Sequence, residues 1–210
     1  MSDCSLLSVR LYARLLMCLL AFALLAPPTY AQTEIGYDDG TAEAQVDLQP
    51  PGRGVAVRFT IAPDHELIGA RFFIHCQEGL SPVGAAGVCL VLDANGVAGA
   101  PGDTLYSSAG WFYSSYSGLE SFFSEPISLP DSTAYIAYIR TPAGFSCPIY
   151  CGTDTTSVPD GRSWLYEDGV WHQLPLELGD LMIRAVVRIQ TPTRSPTWGT
   201  LKALFKQGDG

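Results

Sequence analysis

Residues 55–61 read VAVRFTI, and the side-chain period of two in that stretch decides the fold class. Val55, Val57, Phe59 and Ile61 alternate with Ala56, Arg58 and Thr60, the pattern of a half-buried antiparallel strand rather than of a helix, whose apolar positions recur every three to four residues. The alternation returns in Ile68, Ala70, Phe72 and Ile74. Near the end, Leu181, Ile183, Ala185, Val187 and Ile189 alternate with Met182, Arg184, Val186 and Arg188. TAYIAYIR, at 133–140, is apolar on both faces and suits a central strand.

Further strands are expected at 88–93, 104–107, 110–115, 119–124, 163–167 and 170–173, separated by turn punctuation such as PPGRG, APDH, DANG, TPAG, VPDG and EDG. No segment ahead of the tail has helical period and length. About ten short strands with turns every 8–15 residues predict an all-β, antiparallel, jelly-roll-like β-sandwich.

The N-terminus carries Arg10 and Arg14 ahead of an apolar run over 15–26 and a Pro-Pro break, the layout of a secretory signal peptide with cleavage expected after Ala31. The run is shorter than the roughly 20 residues that cross a bilayer, so no transmembrane span is expected once the leader is removed. Residues 32–190 are then one sandwich domain and 191–210 a tail. Removing Asp3, Arg10 and Arg14 takes the net charge from −9 to −10. That acidity disfavours nucleic acid and anionic membrane surfaces, which need clustered cations. Cys76, Cys89, Cys147 and Cys151 remain, and in an oxidising compartment they read as two disulfides, with the local pairs Cys76–Cys89 and Cys147–Cys151 preferred among three connectivities. No C-x-x-C pair or H-x-x-x-H spacing supports a zinc site instead.

YDDGTAE near the mature start, AVRFT followed by IGARFFI, VLDANGVAGAPGDTL, and GRSWLYEDGVW before DLMIRAVV together resemble a recurring β-sandwich module of secreted bacterial proteins, over roughly residues 35–190. That module is often appended to extracellular peptidases or stands alone ahead of a C-terminal tail. The resemblance implies an accessory, non-catalytic domain and carries over no catalytic residues.

The same stretch IGYDDGTAEAQ poses the question of metal binding. Calcium takes six to eight oxygens from carboxylates and carbonyls, and Asp38 and Asp39 could meet carboxylates of the GTDTTSVPDG loop, Asp154 and Asp160; the alternative is Asx-type turn capping. Glycan binding would rest on Trp111 and Tyr113 of WFYSSY and on Trp164 and Trp171 around the Glu167-Asp168-Gly169 hairpin, because aromatic faces stack on sugar rings. The alternative is that these rings are core or cross-strand pairs. A G-x-S-x-G elbow and an H-E-x-x-H motif are both absent from the sequence, and the acids lie mostly in turns, where a glycosidase pair rarely sits.

The tail TPTRSPTWGTLKALFK begins as a Pro/Thr/Ser linker and then places Trp198, Leu201, Leu204 and Phe205 at helical spacing. It resembles Trp-Gly tails that end other secreted bacterial proteins, which implies sorting or surface retention; the alternative is a short helix with no such role. The expected function is therefore a secreted, non-catalytic binding or adhesion module, extracellular or at the cell surface, with a glycan or protein ligand. Alternatives are a structural or protein-interaction component of the envelope and, more remotely, a glycosidase-like enzyme.

Overall fold

Fourteen strands follow one another among the described residues of the computed structural model. They are β1 (Gln32–Ile35), β2 (Ala44–Asp47), β3 (Gly54–Thr60), β4 (His65–Phe72), β5 (Ile74–Cys76), β6 (Gly84–Asp93), β7 (Thr104–Tyr113), β8 (Leu119–Ile127), β9 (Thr133–Arg140), β10 (Ile149–Asp154), β11 (Ser163–Glu167), β12 (Val170–Gln173), β13 (Asp180–Leu181) and β14 (Ile183–Ile189). The structure describes residues 31–76, 84–113, 119–129, 131–142 and 148–189. The chain divides into two units, Met1–Ala31 and Gln32–Gly210, and the description concerns the second. Residues 1–30, where the signal peptide is expected, Cys147 and the tail with Trp198, Leu201, Leu204 and Phe205 lie outside the described residues. No helix among the described residues is long and apolar enough to cross a membrane.

VAVRFTI is an interior strand. β3 pairs antiparallel with β9 on one side and β11 on the other, within a six-stranded sheet ordered β12-β11-β3-β9-β6-β7. Facing it are a four-stranded sheet, β1-β14-β4-β8, and a smaller one, β13-β10-β2, with β5 also on β10. Every pairing between these strands among the described residues is antiparallel, so the all-β antiparallel sandwich is as expected. Main-chain bonds stitch the last two sheets together: the Phe73 N–H donates to the Met182 carbonyl at 3.0 Å and the Gly152 N–H to the Phe73 carbonyl at 2.8 Å.

The core lies between these layers. Val55, Val57, Phe59 and Ile61 meet Leu67, Phe72, Ile74, Leu181, Ile183 and Ala185 in one apolar cluster, and burying such side chains stabilises the fold by roughly 1.5–3 kcal/mol each.

Three expectations are corrected. Ile68 does not continue the inward set with Ala70 and Phe72; Leu67 does. Val186 and Val187 of β14 pair with Gly69 and Leu67, so β4 carries one extra residue there, Ile68, and its inward face switches at that bulge. The stretches 104–107 and 110–115 are one strand, β7, running unbroken through Ser108 and Gly110. The count is fourteen rather than about ten because β1, β2, β5, β10 and β13 are short or lie beside acidic turns.

The disulfides are corrected as well. Cys89 and Cys151 are free thiols, both fully buried, so neither Cys76–Cys89 nor Cys147–Cys151 is formed. Cys89 sits in the middle of β6, between Ser108 and Tyr138 in register, whereas Cys76 ends β5 opposite Ile149 in a different sheet. Proximity in sequence across a Gly/Pro-rich loop did not translate into pairing of those strands.

Candidate functional site

The turn between β1 and β2 contains the two adjacent aspartates, and they serve different partners. Asp38 turns inward: its side chain is fully shielded from solvent and ion-paired with the Arg184 guanidinium, with the Gly40 N–H donating to it at 3.0 Å. Arg184, held also by Glu34 at 3.5 Å, has its pKa raised, chiefly by the hydrogen bond to Asp38. Asp39 points the other way. Its carboxylate caps its own turn, accepting from the Thr41 N–H at 2.8 Å and the Thr41 hydroxyl at 2.6 Å, an Asx turn of the sort that Asp followed by Gly favours.

Across the sheet, Asp154 ends β10 and is buried. It accepts from the Asp39 N–H at 2.8 Å, from the Thr156 N–H and hydroxyl, both at 2.8 Å, from the Ser157 N–H at 3.0 Å and from the Ser157 hydroxyl. Burial alone would push this carboxyl up, but the Ser157 hydroxyl, the Asp39 amide and Thr156 outweigh it and hold the group well below the ordinary range. Asp39 is lowered too, first by the Thr41 hydroxyl. Glu43 completes the group, accepting from the Thr155 N–H at 3.1 Å. Oxygens of Asp39, Glu43 and Asp154 all lie within 4.8 Å of one another.

Of the expected calcium candidates, the structure thus brings together Asp39 and Asp154, adds Glu43, and takes away Asp38 and Asp160. Asp160 is ion-paired with Arg162, which also stacks over the Tyr37 ring at 4.4 Å. A carboxylate neutralised by a guanidinium is a poor cation ligand. Of the three that meet here, Glu43 and Asp39 keep the freer oxygens, whereas the two oxygens of Asp154 already accept five hydrogen bonds and a cation would have to displace some of them. Glycoside hydrolysis uses one carboxyl with its pKa raised to serve as acid, and Asp39 and Asp154 are both lowered. Asp180 is raised, by burial and then by Asp160, but its residue is only 3% exposed and closed against the Ser163 hydroxyl.

Among the described residues no histidine bonds a serine, threonine or cysteine. The His65 ring bonds the neighbouring Asp64 carboxylate at 2.8 Å, and the His75 ring bonds the Gln45 side-chain carbonyl at 2.8 Å and stacks on Tyr150; burial lowers the His75 pKa.

The second candidate surface is the outer face of the six-stranded sheet. Register places Trp164, Ala56, Ala137 and Leu90 in one row across β11, β3, β9 and β6. Tyr135 and Leu92 lie in the next row, and together these residues, with Trp171, make a second apolar cluster separate from the core. Trp164 meets Tyr135 edge-on, ring centroids 6.1 Å apart at 88°. Tyr166 and Trp171, directly paired across the hairpin, lie 4.9 Å apart at 50°. Asp168 and Gly169 take φ 52° and 83°, the two left-handed residues of a tight hairpin turn, and this turn fixes the Tyr166–Trp171 register. Trp164, Tyr166 and Trp171 are all half-buried: they are cross-strand pairs and a partly exposed edge at once. Trp111 pairs in register with Ala86 and Tyr113 with Gly84 on β7, at the opposite edge of the sheet; their side chains lie outside the described set.

Sequence reading missed Glu43, Thr156 and Ser157 as partners of the acidic loop and Tyr135 as the floor of the aromatic edge. The Asp-Thr-Thr-Ser run was a signal for the first group, since Thr and Ser just after an Asp readily donate back to it.

The chain is similar to Bacillopeptidase F of Bacillus subtilis (strain 168). Identity is 33% over 162 residues, which cover 73% of this chain and 11% of that protein, so the chain spans about a tenth of the length of the curated relative it matches. The sequence matches no protein-family profile.

Proposed function

We propose that residues 32–190 form an exported, non-catalytic binding module whose ligand is a glycan, taken at the Trp164–Tyr166–Trp171 edge of the six-stranded sheet. The observation that carries this reading is the apolar cluster on the sheet's outward face. An antiparallel sheet with one face on the core normally turns polar side chains to water on the other, yet here, with Arg58 the charged member of the Tyr135 row, the outward rows are otherwise buried or half-buried Ala, Leu and Tyr, bordered by partly exposed rings. Such rings stack on the C–H faces of sugars, while Gln173, opposite Trp164 on the same face, can take hydroxyls. Similarity to a small part of a much longer protein named as a peptidase supports an accessory role.

Calcium at Asp39, Glu43 and Asp154 is the structural cofactor of this proposal, fastening the β1–β2 turn to the end of β10. The tail residues Trp198, Leu201, Leu204 and Phe205 retain the module at the cell surface; deletion of 192–210 should release it to the medium with the fold unchanged, and unchanged localisation refutes retention. A glycan array screened with the mature domain, with and without calcium, tests the ligand class. Binding lost in a Trp171→Ala variant is expected; absence of binding to any glycan overturns the reading in favour of a protein-interaction module. An ion that binds only the folded state raises Tm, so a melting temperature unmoved by chelator removes calcium from the proposal.

A further inference from the structure

Gln32 is the first residue of the second unit of the chain and the first residue of β1, where it pairs with Arg188 at the edge of its sheet. The boundary coincides with the cleavage position expected from the leader. We propose that export leaves Gln32 at the N-terminus and that it cyclises to pyroglutamate, so that the mature chain carries a blocked end; this rests on the export reading above.

The chemistry balances without any further reactant. The α-amino nitrogen attacks the side-chain amide carbon, the new C–N bond closes a five-membered lactam, the bond from that carbon to the amide nitrogen breaks, and the nitrogen leaves with a proton as ammonia. The structure favours the step in two ways. The Gln32 side chain is exposed and has no side-chain hydrogen-bond partner among the described residues, so nothing must be broken for it to fold back on the amine. The ladder beyond it, Thr33 on Val187, Glu34 on Val186 and Ile35 on Ala185, is retained, because the ring involves only the terminal residue. An uncapped chain end on an edge strand is where exopeptidases begin, and the lactam denies them an amine.

Mass spectrometry of the N-terminal peptide of exported protein is the test. The expected peptide begins at residue 32, is lighter by one ammonia than the unmodified form, resists stepwise sequencing, and becomes readable from Thr33 after treatment with pyroglutamyl aminopeptidase. A Gln32→Asn variant, too short to close the same ring, should begin at residue 32 with a free amine. A wild-type chain beginning at residue 32 with an unmodified Gln, or one trimmed at another position, overturns cyclisation and leaves export intact; a chain found only in the cell and beginning at Met1 overturns both.

Discussion

The backbone N–H of Asp39 donates to the Asp154 carboxylate at 2.8 Å, across 115 residues of sequence. This bond ties the first turn of the domain to the end of β10, and Asp154 meanwhile caps its own loop through Thr156 and Ser157. One carboxylate therefore organises two loops, with or without a cation beside it.

Asp154→Ala should destabilise the domain by about 2–4 kcal/mol, because several N–H and O–H donors lose a charged acceptor at once. The pH dependence follows from the lowered pKa of Asp154. A depressed carboxyl contributes stability that is fully present above its unfolded value of about 4 and is lost as pH falls through the lower folded value. Denaturant titrations of wild type and variant should differ most at neutral pH and converge in acid.

Asp180 carries the opposite sign. Burial, then the nearby Asp160, raises its pKa, so ionising it opposes folding at neutral pH and the opposition fades as pH falls through the raised folded value. Asp180→Asn keeps an acceptor for the Ser163 hydroxyl and should raise Tm at pH 7–8, by about 2–4 °C for each kcal/mol relieved at this size. The gain should shrink towards pH 4. A variant with lower Tm at every pH would show that the carboxylate itself is required.

Cys89 and Cys151 should resist thiol reagents in the native protein, since burial pushes both thiols up to about 12 and the thiolate is the reactive form. Labelling at pH 8 should leave both unmodified until denaturant is added. Rapid native labelling of either would contradict the buried, unpaired arrangement.

Period-two alternation at 55–61 and 181–189 was enough to read the sandwich, because each inward side chain is repeated by the pleat. Where a bulge adds a residue, as at Leu67–Gly69, periodicity assigns Ile68 to the wrong face, and no local residue type announces the insertion. The acidic loop was half legible. Asp39 and Asp154 were singled out by composition, but which acids an arginine claims depends on Arg184 and Arg162 arriving from β14 and from the loop ahead of β11, a contact of tertiary origin. The cysteines were misread for the same reason: sequence separation governs loop closure, not which sheet a strand joins. β10 was missed because Cys151-Gly152-Thr153-Asp154 has the composition of a turn, although Cys151, Gly152 and Thr153 are wholly buried between neighbouring strands.

Gly87 should tolerate no side chain. A Cβ there would stand 2.2 Å from the Tyr138 ring, whose hydroxyl donates to the Ala86 carbonyl at 3.1 Å. The ring lies directly over the glycine and is fully buried, so it cannot swing aside. Gly87→Ala is expected to cost at least the 1–3 kcal/mol typical of overpacking, read as a lower denaturation midpoint with unchanged slope. The double variant with Tyr138→Phe should not restore stability, since the clash is with the ring and not only with its hydroxyl.

The two tryptophans of the β11–β12 hairpin separate packing from binding. Trp164 packs edge-on against fully buried Tyr135 and covers Ala56 in the next strand, so Trp164→Ala opens a cavity over the sheet and should cost about 3 kcal/mol. Trp171 stands half-buried on the edge strand, against Tyr166 and the rim of the same cluster, so Trp171→Ala should cost less than Trp164→Ala, about 1–2 kcal/mol. If the sheet edge binds glycan, affinity should follow the reverse order: Trp171→Ala removes the exposed stacking face and should weaken binding tenfold or more, each factor of ten being about 1.4 kcal/mol, while a folded Trp164→Phe variant keeps it. Thermal melts and glycan titrations on the same two variants give both orders. Equal losses of stability and affinity in both would make the rings structural and move the ligand elsewhere.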